Sequence, residues 1–412
     1  MSLRNEPQHE RSVAQPPAYP MARPAGCPFQ LPQELVRLSK EEPSSRITIW
    51  NGTHPWLLTR YEDISTVQRD PRFSVDRQWP GFPHASSGAQ LRSAGSRMFF
   101  GMDDPRHSHF RRMLIPEFSM PRVRALQPAV RAVVDGLLDD MDRRTPPVDL
   151  VDVFAARGPA MMLCALLGLP YDDHEFFSKN VRARLTLTTS EEDAKRGHSE
   201  LVSYLTDLIR RRESEPSDDL IGRLVTNRVC TGEITRDEAL ALIEVLLAAG
   251  YSATGGTIAL GTVVLLLHPE QASVMRDGGP QEVATAVEEL IRYVNTTHLG
   301  RRRVAREDVR IGGVTIRAGE GVIAADAIAN RDPEMFDNPD ELDLRRSPNP
   351  HLVFGVGAHQ CLGQQLARMQ LAVAYPALLR RFPGLRLAVP LSELEFLPEA
   401  TVYSVREVPV QW

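Results

Sequence analysis

Apolar residues recur three and four positions apart across residues 121–143, 197–213, 236–268, 281–294 and 362–381, the spacing of helices with one buried face. Two stretches alternate instead: residues 47–60, turning at Asn51-Gly52, and residues 309–324, turning at Gly312-Gly313. Each predicts a hairpin. The longest helical stretch has a capping-box pattern, Thr235 with Glu238, at its start and His268-Pro269 at its end. Within it residues 245–267 carry no charge, a run long enough to cross a bilayer. Glycines and threonines interrupt the run, and no Lys/Arg cluster flanks it, so it reads as a buried central helix and no membrane association is expected. Its middle, residues 248–256, is unusually small. That suits close packing of helices, or the approach of a bulky flat partner. Residues 1–26 are rich in Pro and polar residues and predict a disordered leader. No linker or repeat divides residues 27–412, which predict one domain, mainly α with small β-sheets.

Composition adds limits more than content. The 412 residues are 42% hydrophobic and 25% charged, with a net charge of −5, so no nucleic-acid affinity is expected. No apolar core of a signal peptide occurs in the leader, and Cys27, Cys164, Cys230 and Cys361 are too widely spaced for a metal cluster or a disulfide framework. A reducing, cytoplasmic setting fits. Cys164 and Cys230 read as small buried hydrophobes, and Cys27 as a surface residue of the leader.

Cys361 stands apart. It follows Phe354-Gly355-Val356-Gly357-Ala358-His359-Gln360, precedes Leu362-Gly363, and opens a long amphipathic helix. A thiol near a helix N-terminus is drawn toward thiolate by free N–H groups and the helix dipole. Thiolate is the form that ligates iron. The glycines allow a tight loop to lie against a flat macrocycle. Phe354 is placed to cover the sulfur, and His359 to reach an anion.

This segment resembles the haem-binding loop of the cytochrome P-450 enzymes, and the likeness extends from about residue 27 to the end. The resemblance implies the single-domain fold of that family, with a long central helix over a haem b (iron protoporphyrin IX) whose iron Cys361 holds. It implies that Glu289 and Arg292, a Glu-x-x-Arg pair, form a buried clamp beneath the cysteine loop. The third clamp member of the family, an Arg or His, is replaced here by Glu341, leaving Arg345 or Arg346 as substitutes. It assigns His107, Arg111 and Arg303 to the haem propionates, with Gly355, His359 and Gly363 in the same haem-binding set. Soluble actinomycete members look most similar. Some features, such as Arg77-Gln78 with Gly81-Phe82-Pro83, also resemble the fungal nitric oxide reductase branch.

The central helix departs from the pattern. Most monooxygenases of the family carry Ala-Gly-x-acid-Thr there, and the acid and alcohol organise proton delivery to dioxygen. This chain reads Ala249-Gly250-Tyr251-Ser252-Ala253-Thr254. Ser252, Ala253 and Thr254 are therefore the candidate catalytic positions, with Ser252 or Thr254 holding a water, or a substrate hydroxyl carrying the proton. The reading that follows is a monooxygenase oxidising a medium-sized organic molecule in secondary-metabolite biosynthesis. Its alternatives are nitric oxide handling, by reduction or aromatic nitration, and a haem-binding protein without turnover. By resemblance, Phe99, Phe100, Leu246, Ala249, Gly250, Ala253, Thr254, Val294, Asn295, Thr297 and Val402 face the substrate. No Gly-x-Gly-x-x-Gly follows a strand, so electrons are expected from a separate ferredoxin and ferredoxin reductase, or directly from NADH as in the nitric oxide branch. Arg111, Arg112 and Arg368 are candidates for a basic docking face. The small-molecule substrate, dioxygen or nitric oxide, and a monomeric state complete the expectation.

Overall fold

The central helix Arg236–Leu267 is the axis of the structure. Thr235 caps it: its Oγ1 accepts from the Glu238 amide at 3.2 Å, and the Glu238 carboxylate accepts from the Thr235 amide at 3.0 Å. Residues 258–265 of this helix belong to the largest core cluster, together with the helices Met120–Asp142, Pro280–Val294 and Gln364–Arg381. Residues 239–251 belong to a second cluster, with the helices Arg106–Leu114, Arg157–Leu167 and Glu191–Ser214. One helix therefore buries its two halves in two cores, which explains a sequence that is apolar on every face. It is long and apolar enough to cross a membrane, but 72% of its apolar window is buried inside the protein.

This computed structural model describes residues 15–24, 26–93, 98–170, 173, 176–177, 179–180 and 191–412. The strands are β1 (Ser44–Arg46), β2 (Trp56–Leu58), β3 (Phe73–Ser74), β4 (Val148–Asp149), β5 (Arg301–Ala305), β6 (Val309–Ile311), β7 (Val314–Ile316), β8 (Gly321–Ala324), β9 (Arg386–Leu387) and β10 (Pro409–Gln411). They form a five-stranded sheet in the order β1-β2-β8-β5-β3, a three-stranded sheet β4-β10-β9 and the pair β6-β7. The predicted hairpin over 309–324 closes at Gly312-Gly313, both with positive φ, but ends with β7; β8 leaves it to pair with β2 and β5 in the large sheet.

Two expectations are corrected. The leader was expected to be disordered through residue 26. Residues 1–14 and 25 lie outside the described residues, while 15–24 pack on the body. Tyr19 is buried, the Thr48 amide donates to Pro17 O at 2.8 Å, and Arg23 donates to Gln30 O at 2.9 Å. One aromatic and one arginine give a Pro-rich segment enough to dock. Cys230, expected to be buried, is exposed, because it falls on the turn that follows the short helical stretch Val225–Val229; Cys164 is buried and Cys27 is half-buried.

The small residues of the central helix admit neighbouring protein. A Cβ on Gly250 would fall 2.7 Å from Leu163 Cδ2, and one on Gly255 2.9 Å from Ala155 O. A Cβ on Gly261 would collide with the hydroxyl of Tyr375, which donates to Thr257 O at 2.6 Å. Gly261→Ala is expected to cost about 1–3 kcal/mol by overpacking. In Tyr375→Phe the same substitution should cost clearly less, because the obstructing oxygen is gone. Denaturant midpoints of the four proteins test this; additive losses would reject the contact.

Candidate active site

The chain from Val353 to Gly363 has little regular structure beyond one short turn, Gly357–His359. Gly355 and Gly357 hold φ of 66° and 77°. A Cβ on Gly357 would also lie 2.8 Å from Gln68 O and 3.0 Å from Arg69 Cα. Both glycines are thus needed where the loop passes the helix Tyr61–Arg69, as well as for their backbone conformation.

Side chains from outside the loop hold it. Gln68 Oε1 accepts from the Val356 amide at 3.1 Å, and Gln68 Nε2 donates to Asp326 Oδ1 at 2.7 Å. Arg301 pairs with Asp326 and donates to Val353 O at 2.7 Å. Asn330 Oδ1 accepts from the Leu352 amide at 2.7 Å. Within the loop the Cys361 amide donates to Phe354 O at 2.8 Å, and Arg111 donates to Gln360 O at 2.7 Å. Phe354 itself lies under the guanidinium of Arg368, 4.5 Å away. The Cys361 thiol is open on one side and crowded by protein elsewhere. That burial pushes its pKa up, against the Gly363 N–H and the charges of Arg301, Arg111 and Arg368, which pull it down. The helix that follows does not suffice by itself to make a thiolate; a metal bound to the sulfur does so outright.

Glu289 and Arg292 are both fully buried and meet in a two-point pair, 2.7 and 2.8 Å. Arg292 also donates to Asn330 O and Pro339 O, each at 2.8 Å. The third partner is Arg346, not Arg345: its Nε donates to Glu289 at 3.1 Å, and Asn349 and the Asp343 amide donate to Glu289 at 3.0 Å. Glu341 contributes its backbone carbonyl only. Asn330 connects this pair to the cysteine loop, accepting from Leu352 with its side chain while its carbonyl accepts from Arg292.

His107, Arg303 and Arg111 all lie within electrostatic reach of His359, and Arg111 also reaches Cys361. The two imidazoles lie 3.9 Å apart, and both His107 ring nitrogens and His359 Nδ1 are buried without a hydrogen-bond partner. Burial, then the nearby cations, lowers His359 to about 3 and depresses His107; burial lowers Arg303 to about 10. Asp104 approaches His107 only to 3.5 Å and from the solvent side. Buried donors without acceptors, beside a buried arginine, make a receptor for carboxylates.

On the central helix, Ala249 is exposed although most of the helix is buried, and Ala248, Gly250, Ser252 and Ala253 are half-buried. Ser252 Oγ is buried with no partner, while Thr257 Oγ1 donates to Ala253 O at 2.8 Å. Ala249 and Ala253, one turn apart, therefore border open space. Gly250 turns away, toward Leu163, and does not line the pocket as expected. Leu246, Phe99 and Val294 are drawn into the core; Phe99 stacks on His107 at 6.0 Å, while Phe100 stays 37% exposed. Thr254 is buried. Asn295 is buried at a φ of 23°, its Oδ1 accepting from the Thr297 amide at 3.1 Å. Thr297 and Val402 are half-buried on segments joined by the Tyr403 amide donating to Thr296 O at 2.9 Å. Arg368, a candidate for docking, is committed to Glu288 at 2.6 and 3.0 Å; Arg112 is exposed.

Gln68, Asp326 and Arg301 were not singled out in the sequence. The sequence signal was weak: one acid in an apolar strand-to-helix segment, Ala324-Ala325-Asp326-Ala327-Ile328, and a run of three arginines.

Similarity to known proteins accords with this geometry. The sequence model of the family Cytochrome P450 matches residues 283–393. The chain is 42% identical to Cytochrome P450-SU2 of Streptomyces griseolus, over 95% of this chain and 96% of that protein. It is 41% identical to the Vitamin D3 dihydroxylase of the same organism, over 96% and 97% of the two chains. The structure of GfsF, a protein of Streptomyces halstedii, matches with a TM-score of 0.92 at 40% identity, covering 96% of this chain and 100% of that one.

The clamp yields a prediction. Arg292→Ala strands a buried carboxylate and should cost about 3–5 kcal/mol of stability. Arg346→Ala should cost less, because Asn349 and the Asp343 amide still reach Glu289. Urea unfolding compares the two; equal losses would show that Arg292 is not the main counter-charge.

Proposed function

The chain belongs to the cytochrome P450 family of haem monooxygenases, and we propose that it hydroxylates, or oxidises in a similar way, a medium-sized organic molecule in secondary-metabolite biosynthesis. Bacterial members of this class generally take small organic substrates, dioxygen, and electrons from ferredoxin and its reductase. The observation that carries the reading is a lone loop thiol beside buried donors that lack acceptors. That set fits a haem: Cys361 would hold the iron, and His107, Arg111, Arg303 and His359 the two propionates. Haem b is the form proposed. Bound there, it supplies the activation of dioxygen, and the protein supplies position and protons.

Ala253 cannot donate a proton, and the Thr257 hydroxyl is engaged by Ala253 O. Ser252 and Thr254 are the hydroxyls left nearby, and a water on them or a substrate hydroxyl is the proposed proton source. Nitric oxide handling is not favoured. By resemblance, that branch keeps a threonine where Ala253 stands and an acid where Val402 stands, and the relatives above are Streptomyces proteins, one of them named for a dihydroxylation. The protein is proposed to work as a cytoplasmic monomer.

Reduced, purified protein under carbon monoxide should show the red-shifted Soret band of a haem-thiolate, and Cys361→Ser should abolish it. Survival of the band would reject Cys361 as the ligand. With ferredoxin, its reductase and a bound substrate, Ala253→Thr should change the fraction of electrons that appear in product. Electron uptake with no product from any bound ligand would favour a haem-binding protein without turnover.

A further inference from the structure

The helix Pro280–Val294 carries two adjacent carboxylates, Glu288 and Glu289. Glu289 serves the buried clamp, and Glu288 is committed elsewhere. One of its oxygens accepts from Arg368 Nε at 2.6 Å, and the other accepts from Arg368 Nη2 and His351 Nε2, each at 3.0 Å. Arg368 donates further, through Nη1, to Gln364 Oε1 at 2.8 Å. A two-point fork of this kind fixes a guanidinium in one orientation. Burial works to raise Glu288, yet the hydrogen bonds from His351 and Arg368, with the Arg368 charge, bring it down to about 2, so the group stands as a carboxylate.

Both partners of Glu288 reach the cysteine loop. The Arg368 guanidinium lies 4.5 Å from the centre of the Phe354 ring, and the His351 imidazole lies 5.9 Å from it. Phe354 O in turn accepts from the Cys361 amide at 2.8 Å. Arg368 stands in the second turn of the helix that follows Cys361, and its charge is among those that pull the Cys361 thiol down.

A guanidinium so placed has two opposed effects. Its flat face braces the Phe354 ring. Its charge draws electron density from the sulfur, and a thiolate serves an iron by pushing density toward it. A carboxylate bound to the guanidinium keeps the brace and cancels most of the charge. The same arrangement recurs at Arg301, whose charge also reaches Cys361 and which is paired with Asp326.

We propose that the Glu288–Arg368 pair tunes the sulfur: Glu288 offsets the Arg368 charge, so that the guanidinium braces Phe354 without lowering the electron donation of Cys361 to the iron. The proposal rests on the haem-thiolate reading above and adds two positioning residues to it. They act through the charge felt at the sulfur and through Phe354.

The test is redox titration of haem-loaded protein against dyes of known potential, with the carbon–oxygen stretch of the carbon monoxide complex as a second reading. Glu288→Gln leaves the Arg368 charge uncompensated. It should favour the ferrous form by about 3- to 10-fold, a rise of about 30–60 mV at 59 mV per tenfold for one electron, and raise the stretching frequency. Both side chains are partly exposed, so solvent screening keeps the shift modest. Arg368→Gln removes the cation and should move both readings the opposite way. The double variant should return to within about twofold of the wild type, because the two losses cancel. Glu288→Asp, which keeps the charge, should lie closer to the wild type than Glu288→Gln. A loop that is merely loosened would shift both single variants in one direction.

Shifts of the same sign, or shifts smaller than about twofold in the reduction equilibrium, overturn the proposal. So does loss of the carbon monoxide band in either single variant, since the pair would then be holding the loop rather than tuning it. The band in the wild type separates the two readings. If it is present and the shifts do not oppose each other, only this proposal fails; if it is missing, the haem-thiolate reading fails first.

Discussion

A loop without regular structure that lies against the protein body must still find partners for the backbone N–H and C=O groups it turns inward. The segment that carries Cys361 meets this requirement with side chains drawn from elsewhere in the chain: Gln68, Arg301, Asn330 and Arg111. Two of these are charged, and Asp326, fully buried, pairs with Arg301 while accepting from Gln68. Burial pushes Asp326 up, and the Arg301 charge and the Gln68 hydrogen bond oppose that shift. The loop is therefore anchored by a group that is itself costly to bury, and the anchor holds only while each member keeps its partner. The position of the sulfur follows from this network more than from the helix that begins after it.

The same economy runs through β5. Three adjacent arginines serve three environments because a strand turns successive side chains to opposite faces. Arg301 meets a carboxylate supplied by the chain. Arg303 lies within reach of His359, Asp326 and Asp103 but makes no hydrogen bond to a carboxylate, and the Nε of Arg302 has no acceptor. Of the three, one is explained by the protein alone. Under the proposed haem binding, Arg303 would be accounted for by a propionate that arrives with the ligand.

Much of the helical scaffold was legible because periodicity and caps are local signals. The Thr235–Glu238 box, the proline after His268 and the paired glycines at 312–313 all stand where the pattern put them. The cysteine loop was legible because its residue types are so constrained. The anchors were not, since Gln68, Asp326 and Asn330 act across long sequence separations that no local pattern encodes. The glycines of the central helix were ambiguous for the same reason. Close packing and ligand approach both demand small residues, and only the positions of Leu163, Ala155 and Tyr375 separate Gly250, Gly255 and Gly261 from Ala249 and Ala253.

That separation bears on the chemistry. The helix borders open space with two alanines, and its nearby hydroxyls, on Ser252 and Thr254, are small and carry no charge. A helix built this way cannot direct protons by itself, so orientation of the substrate becomes more important. A substrate fixed only by apolar contacts samples several poses, whereas one that also brings a hydroxyl or a water against Ser252 or Thr254 would lose part of that freedom before reaction.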